Sequence, residues 1–199
     1  MLDGPDGAGK STQARWLAWE LQRRGIRTRL LREPGGTQAG EAIRALLLER
    51  RALRLTAAAE TFLFEAARAQ LVAEVIRPAL ARGTWVICDR FTLSTLAYQG
   101  CAGGVNLQAI KRMSELATGG LRPALYLVLW VDVQTGLQRR KDRAADRMEA
   151  KGRAYLQAVS DAYRKLASKA KGQLKLMDAR GSEEEVRAQI WKSVAAFLP

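Results

Sequence analysis

Residues 4–11 read Gly-Pro-Asp-Gly-Ala-Gly-Lys-Ser, and nothing else in the chain constrains its fold as strongly. The pattern G-x-x-x-x-G-K-[ST] does its work only where a strand ends and a helix begins. Its glycines let the backbone curl until successive N–H groups point at one anion. The helix that follows adds the positive end of its dipole. Trp16, Leu17 and Leu21 give that helix its apolar stripe. Lys10 is then placed for the β- and γ-phosphates of a nucleotide, and the Ser11 hydroxyl for Mg²⁺. Gly4, Pro5, Asp6, Gly7, Ala8, Gly9, Lys10, Ser11 and Thr12 form the candidate ATP-binding segment.

The rest of the chain alternates short apolar runs with longer helical patterns. Strands are expected over 27–32, 84–89, 124–131 and 173–178, the third (ALYLVLWV) reading as buried on both faces. Helices are expected over 10–24, 40–50, 57–81, 107–118, 133–141, 152–170 and 182–197. The last opens on Ser182-Glu183-Glu184-Glu185, a capping-box pattern. This alternation implies an α/β fold: a parallel sheet of the P-loop type with helices on both faces. One oddity is the first strand, which looks truncated, since only Met1-Leu2-Asp3 precede the loop.

Composition narrows the chemistry. The 199 residues suit one domain, with 48% apolar content for its core. There is no histidine, which excludes Ser–His–Asp and Cys–His catalysis, histidine-ligated zinc and a histidine base. Lys and Arg number 33 against 20 Asp and Glu, a net +13 that favours a polyanionic partner. Cys88 and Cys101 have no C-x-x-C spacing and read as small apolar residues of a reducing cytoplasm. No apolar run reaches the ~18–20 residues of a membrane span.

A P-loop is shared by GTPases, helicases, motors and kinases, so three further constellations matter. Asp89-Arg90-Phe91 follows a strand, where open α/β sheets bind ligands, and could order a Mg²⁺ shell and clamp a second phosphate. Arg32-Glu33-Pro34-Gly35-Gly36-Thr37 makes a rigid turn that holds Arg32 in place. A basic run from Arg139 through Arg140, Lys141 and Arg143 to Arg147 has the make-up of a mobile arginine loop that closes over phosphates.

In order and spacing, GPDGAGKST (4–12), REPGGT (32–37), DRFTLSTLAYQG (89–100) and DRME (146–149) resemble the bacterial thymidylate kinases, from Asp3 to the C-terminal helix. The resemblance implies one domain over 1–199 with a lid at about 139–153. It implies phosphorylation of dTMP to dTDP with ATP and Mg²⁺, by a cytoplasmic homodimer with no nucleic-acid or membrane partner. It assigns ATP phosphates to Lys10, acceptor and metal placement to Asp6, the dTMP phosphate to Arg90, and metal ligation to Ser11 and Asp89. Phe64 would stack on thymine and Arg68 would hydrogen-bond it; their i, i+4 spacing puts both on one helix face. Arg32, Pro34, Thr95, Tyr98 and Gln99 would complete the dTMP pocket, with Tyr98 crowding the 2′ position. With no arginine in the P-loop, the lid must supply one. Arg143 and Arg147 are the candidates, with Arg139 and Arg140 behind them. Adenine contacts are expected near Asp178-Ala179-Arg180.

Three departures from the family pattern stand out. Family members begin several residues earlier, so the expectation is an upstream start, a truncated chain or an adapted one. Trp130 stands where relatives often have Asp. Ala158 and Ser160 stand where arginine is common. Rival readings are another nucleoside monophosphate kinase and a truncated inactive relative. A nucleic-acid-binding ATPase is disfavoured, because no aromatics interleave with the basic run.

Overall fold

The computed structural model describes residues 1–49, 52–142, 144–169 and 172–198. Five strands, β1 (Leu2–Asp3), β2 (Thr28–Arg32), β3 (Trp85–Asp89), β4 (Tyr126–Trp130) and β5 (Leu174–Asp178), form one sheet in the order β2-β3-β1-β4-β5. Every pairing is parallel. The connections are helical: α1 (Lys10–Arg23), α2 (Gln38–Arg44), α3 (Ala57–Leu71), α4 (Arg77–Ala81), α5 (Thr92–Thr95), α6 (Leu107–Thr118), α7 (Val133–Gln138), α8 (Arg153–Lys169) and α9 (Glu183–Val194). Among the described residues three π-helical segments, Ala45–Glu49, Val72–Ile76 and Leu96–Ala102, prolong α2, α3 and α5.

Side-chain alternation along β4 shows why helices cover both faces. Leu127 and Leu129 pack with Leu17 and Leu21 of α1 and with Ile190 of α9. Val128, one residue out of phase, packs with Ile110 of α6 and with Val159 and Tyr163 of α8. A strand apolar on both faces can only be interior, and β4 is. Start and stop chemistry sets the helix ends. Thr56 caps α3, Asn106 caps α6, Asp132 caps α7, and Ser182 with Glu185 completes the expected capping box on α9.

The central strand is short, yet the P-loop is seated. Met1 donates its amine to Leu125 O (2.7 Å), Leu127 donates to Met1 O (2.9 Å), and Arg90 donates its backbone N–H to Leu2 O (2.8 Å). The buried Asp3 carboxylate then takes over as a junction, accepting from Gly4 N, Phe91 N, Ser94 Oγ and Tyr163 Oη. An apolar cavity of about 460 Å³, walled by Met1, Leu17, Ile76, Trp85 and Leu125, lies at the amino end of β1.

Two of the departures, Trp130 and Ser160, touch each other. The Trp130 indole N–H donates to Ser160 Oγ (2.9 Å), which donates to Val131 O, so β4 and α8 are tied where the family pattern differs. The helix expected over 133–141 stops at Gln138, and the one expected over 40–50 begins earlier, at Gln38.

Candidate active site

A cleft of about 430 Å³ opens at the carboxyl ends of the strands. Asp6, Gly7, Gly9, Lys10, Ser11 and Thr12 line one end, while Gly4, Pro5 and Ala8 lie buried behind them. Gly9 caps α1 with φ at 82°, a left-handed conformation that glycine adopts freely. The first turn of α1 carries no acid and so presents its N–H groups to an anion. Lys10 donates to Pro5 O (2.7 Å). Burial and the nearby Arg90 lower its pKa from 10.5 to about 8. Ser11 Oγ donates to Asp89 Oδ2, and Asp89 Oδ1 is buried with no hydrogen-bond partner among the described residues.

Arg90 stands at the centre. Its φ of 73° is left-handed, rare for a residue with a side chain, and it turns the chain just past β3. Its guanidinium reaches Gly4 O, Ser94 Oγ, Tyr163 Oη and Tyr98 Oη and pairs with the Asp6 carboxylate. Tyr98 Oη also donates to Asp6 Oδ2 (2.7 Å). Burial alone would raise the Asp6 pKa. Arg90, Lys10 and the Tyr98 bond outweigh it and hold Asp6 at about 2.

The other end is lined by Arg32, Pro34, Phe64, Thr95, Tyr98 and Gln99, so most of the expected acceptor pocket converges. Glu33, Arg44, Leu48 and Ser94 line it as well, without having been singled out from the sequence. Arg68 departs from the expectation. It shares a helix face with Phe64 but is 1% exposed and does not line the cleft. Its guanidinium is engaged by Glu33 (2.7 Å), Glu65 (2.7 Å) and Thr95 (3.2 Å). Two carboxylates on one guanidinium leave surplus negative charge in a dry place. Burial lifts Glu33 to about 7 against the pull of Arg68, and Glu65 adds to the rise.

The lid arginines are placed unequally. Arg143 lies outside the described residues. Arg139 donates to Ala179 O, Arg180 O and Gly181 O, tying the start of the lid to the loop after β5. Arg147, expected at the phosphates, is instead buried between Leu47 O (2.8 Å) and the Glu60 carboxylate (2.8 Å) and does not line the cleft. A buried carboxylate draws it into α3 rather than toward the P-loop. Arg140 does line the cleft, pairs with Glu149, and keeps a buried Nε with no hydrogen-bond partner among the described residues.

Residues 2–190 match the family profile described as Thymidylate kinase. The chain belongs to the thymidylate kinase family. Proteins named "Thymidylate kinase" from Pseudomonas putida (strain GB-1) and Symbiobacterium thermophilum are 46% and 43% identical to it. Each alignment covers 100% of this chain and 93% and 92% of the relative. A third, from Rhizorhabdus wittichii, is 41% identical over 100% of this chain and 97% of its own length. The solved thymidylate kinase of Ehrlichia chaffeensis superposes with a TM-score of 0.79 at 27% identity, covering 97% of this chain and 96% of that one. As a thymidylate kinase family member, the chain is an enzyme of the nucleotide-binding transferase class.

Proposed function

We propose that the chain transfers the terminal phosphoryl group of ATP to dTMP, yielding dTDP and ADP, in one domain whose lid spans about 139–153. The observation that carries this reading is a single cleft with the P-loop at one end, Phe64, Thr95, Tyr98 and Gln99 at the other, and the Arg90–Asp6 pair between them. Lys10 and the N–H groups of the loop hold the ATP phosphates. Arg90 holds the acceptor phosphate, and Asp6 fixes Arg90. The acceptor is a phosphate monoester with a second pKa of ~6, so it is largely dianionic at neutral pH and needs no strong base. What remains is alignment and charge neutralisation, which fits a chain without histidine. Phe64 stacks on the base, and Tyr98 crowds the 2′ position.

Mg²⁺ fits the residues present. Asp89 offers a buried, unpartnered oxygen beside the Ser11 hydroxyl. Among the described residues no group of three or more Cys, Asp or Glu side chains could hold a metal by itself, so phosphates and water would complete the shell, as is usual for this ion. When bound, the ion neutralises charge on the phosphates. Arg140 is the lid arginine this arrangement favours for the transferring group, because it already faces the cleft.

A homodimer follows from the family resemblance, and α3 and α6 leave Phe62 and Leu116 exposed (64% and 85%) for such a contact. Light scattering at micromolar concentration checks it: a mass near 44 kDa, twice the chain's 22.0 kDa, is expected. None of the described helices is long and apolar enough to cross a membrane. An ADP-release assay with dTMP, dUMP, dCMP and dAMP tests the activity. Fastest turnover with dTMP is expected, and turnover of another acceptor without dTMP turnover overturns the assignment.

A further inference from the structure

The lid segment is docked at a point outside the phosphate machinery. Glu60, on α3, is 0% exposed and takes three donors from two different parts of the fold. Arg147 Nη1 lies 2.8 Å from Oε1, Lys151 Nζ lies 2.7 Å from Oε2, and Gln99 Nε2 lies 3.2 Å from Oε2. Arg147 and Lys151 belong to the C-terminal half of the lid. Gln99 belongs to the cleft wall. Phe64 follows Glu60 by four residues on α3, one turn further along the same helix face.

One carboxylate therefore gathers the lid, the cleft wall and the base-stacking helix. It does so with two cations against a single negative charge; Arg147 is buried with it while Lys151 stays exposed, so removing the anion leaves the buried Arg147 uncompensated. Docking at Glu60 also fixes what lies upstream. Asp146 Oδ1 accepts from Met148 N and Glu149 N (2.9 Å each), and Glu149 pairs with Arg140, the arginine that faces the P-loop. The path from Glu60 to Arg140 thus runs through Arg147, the Asp146 turn and Glu149, and meets the cleft wall at Asp146 and Arg140.

We propose that Glu60 is a positioning residue: the buried carboxylate on which the lid docks through Arg147 and Lys151, and through which Arg140 is held over the P-loop. The proposal rests on the kinase reading only for its effect on turnover. The docking itself is testable without any reaction.

The lid contains Arg139, Arg140, Lys141, Arg143, Arg147 and Lys151, so trypsin reports its docking directly. In Glu60→Gln, an uncharged variant of nearly the same shape, cleavage within 139–151 is expected to quicken at least tenfold. The dTMP dissociation constant is expected to stay within threefold, while kcat falls at least twentyfold. Arg147→Met is expected to reproduce both effects. The double variant is expected to be no slower than the slower single one, because both remove the same contact. Unchanged lid cleavage in Glu60→Gln, or losses that multiply in the double variant, would overturn the docking role. If Glu60→Gln falls below half the wild-type helical signal, Lys151→Met replaces it, with faster lid cleavage again required. Faster cleavage in a chain that never turns over dTMP would overturn the kinase reading and leave the docking intact.

Discussion

Replacing Gly136 with alanine should weaken this protein, although the substitution looks favourable from sequence. Gly136 sits inside α7, where alanine ordinarily gains ~1 kcal/mol over glycine. Here a Cβ would land 2.5 Å from Asp6 O and 3.7 Å from Val131 Cγ2. Ordinary contact begins at 3.4 Å, so α7 or the P-loop must move by about 0.9 Å. Because the obstacle is backbone, overpacking should cost ~3 kcal/mol, at the upper end of its usual range. The net loss of ~2 kcal/mol corresponds to a Tm lower by ~4–8 °C for a chain of this size. The carbonyl that moves belongs to Asp6, whose carboxylate fixes Arg90. A misplacement of ~1 Å at such a site can cost ~100-fold in turnover. Thermal unfolding and the ADP-release assay on Gly136→Ala measure both effects. A raised Tm with kcat within threefold of wild type would refute the reasoning, because helix propensity would then outweigh the contact.

Three further outcomes are expected. Arg140→Met should lower kcat about 100-fold or more with the KM for dTMP within threefold, as for loss of one transition-state donor; a kcat within fivefold moves the role elsewhere in the lid. Lys10, at about 8, is charged below that pH and loses its proton above it. ATP binding, which needs the charge, should therefore weaken as pH rises past 8 and take up close to one proton at pH 9, as read by calorimetry in two buffers; equal affinity at pH 7 and 9 would contradict it. Glu33, raised from 4.5 to about 7, binds a proton in the folded state that the unfolded chain has released. Its contribution is complete below pH 4.5 and is lost as pH rises toward 7, at up to ~1.4 kcal/mol per pH unit. Glu33→Gln should flatten that slope in urea melts at pH 5–7.5, and an unchanged slope assigns it to another group.

Much of this architecture is written locally and so could be read from the chain. The runs 27–32, 84–89 and 173–178 are β2, β3 and β5 to within a residue, because a short apolar run between turn and helix signals marks a strand in its own letters, even at the half-exposed edges β2 and β5. The P-loop residues and Asp89-Arg90 sit in contiguous motifs, and the structure collects Asp6, Gly7, Gly9, Lys10, Ser11, Thr12, Asp89 and Arg90 in one cleft. What stayed hidden depends on partners far away in sequence. Arg147 and Arg140 lie in the same basic run, and nothing local tells them apart. The difference is Glu60, 87 residues away, which takes the first and leaves the second to the cleft. The family resemblance implies that Arg68 is a base ligand, and its spacing to Phe64 agrees. Its engagement depends on Glu33 and Glu65, a buried charge balance that spacing alone does not disclose. Nothing local in the sequence marks Gly136, and only the approach of Asp6 gives it a purpose.

The π-helical stretch Leu96–Ala102 carries a consequence for which changes of length this helix can tolerate. Tyr98 and Gln99 are adjacent, yet one reaches Asp6 in the P-loop and the other reaches Glu60 on α3. A π turn amounts to one residue more than an α-helix needs, and it swings neighbouring side chains out of the α pattern. Deleting a single residue here would let the segment relax into ordinary helix with better backbone hydrogen bonds. It would also part these two side chains from one or other partner. Such a deletion would also turn the buried Leu96, Ala97 and Tyr98 away from their core neighbours, so the length of this helix matters to both the fold and the cleft.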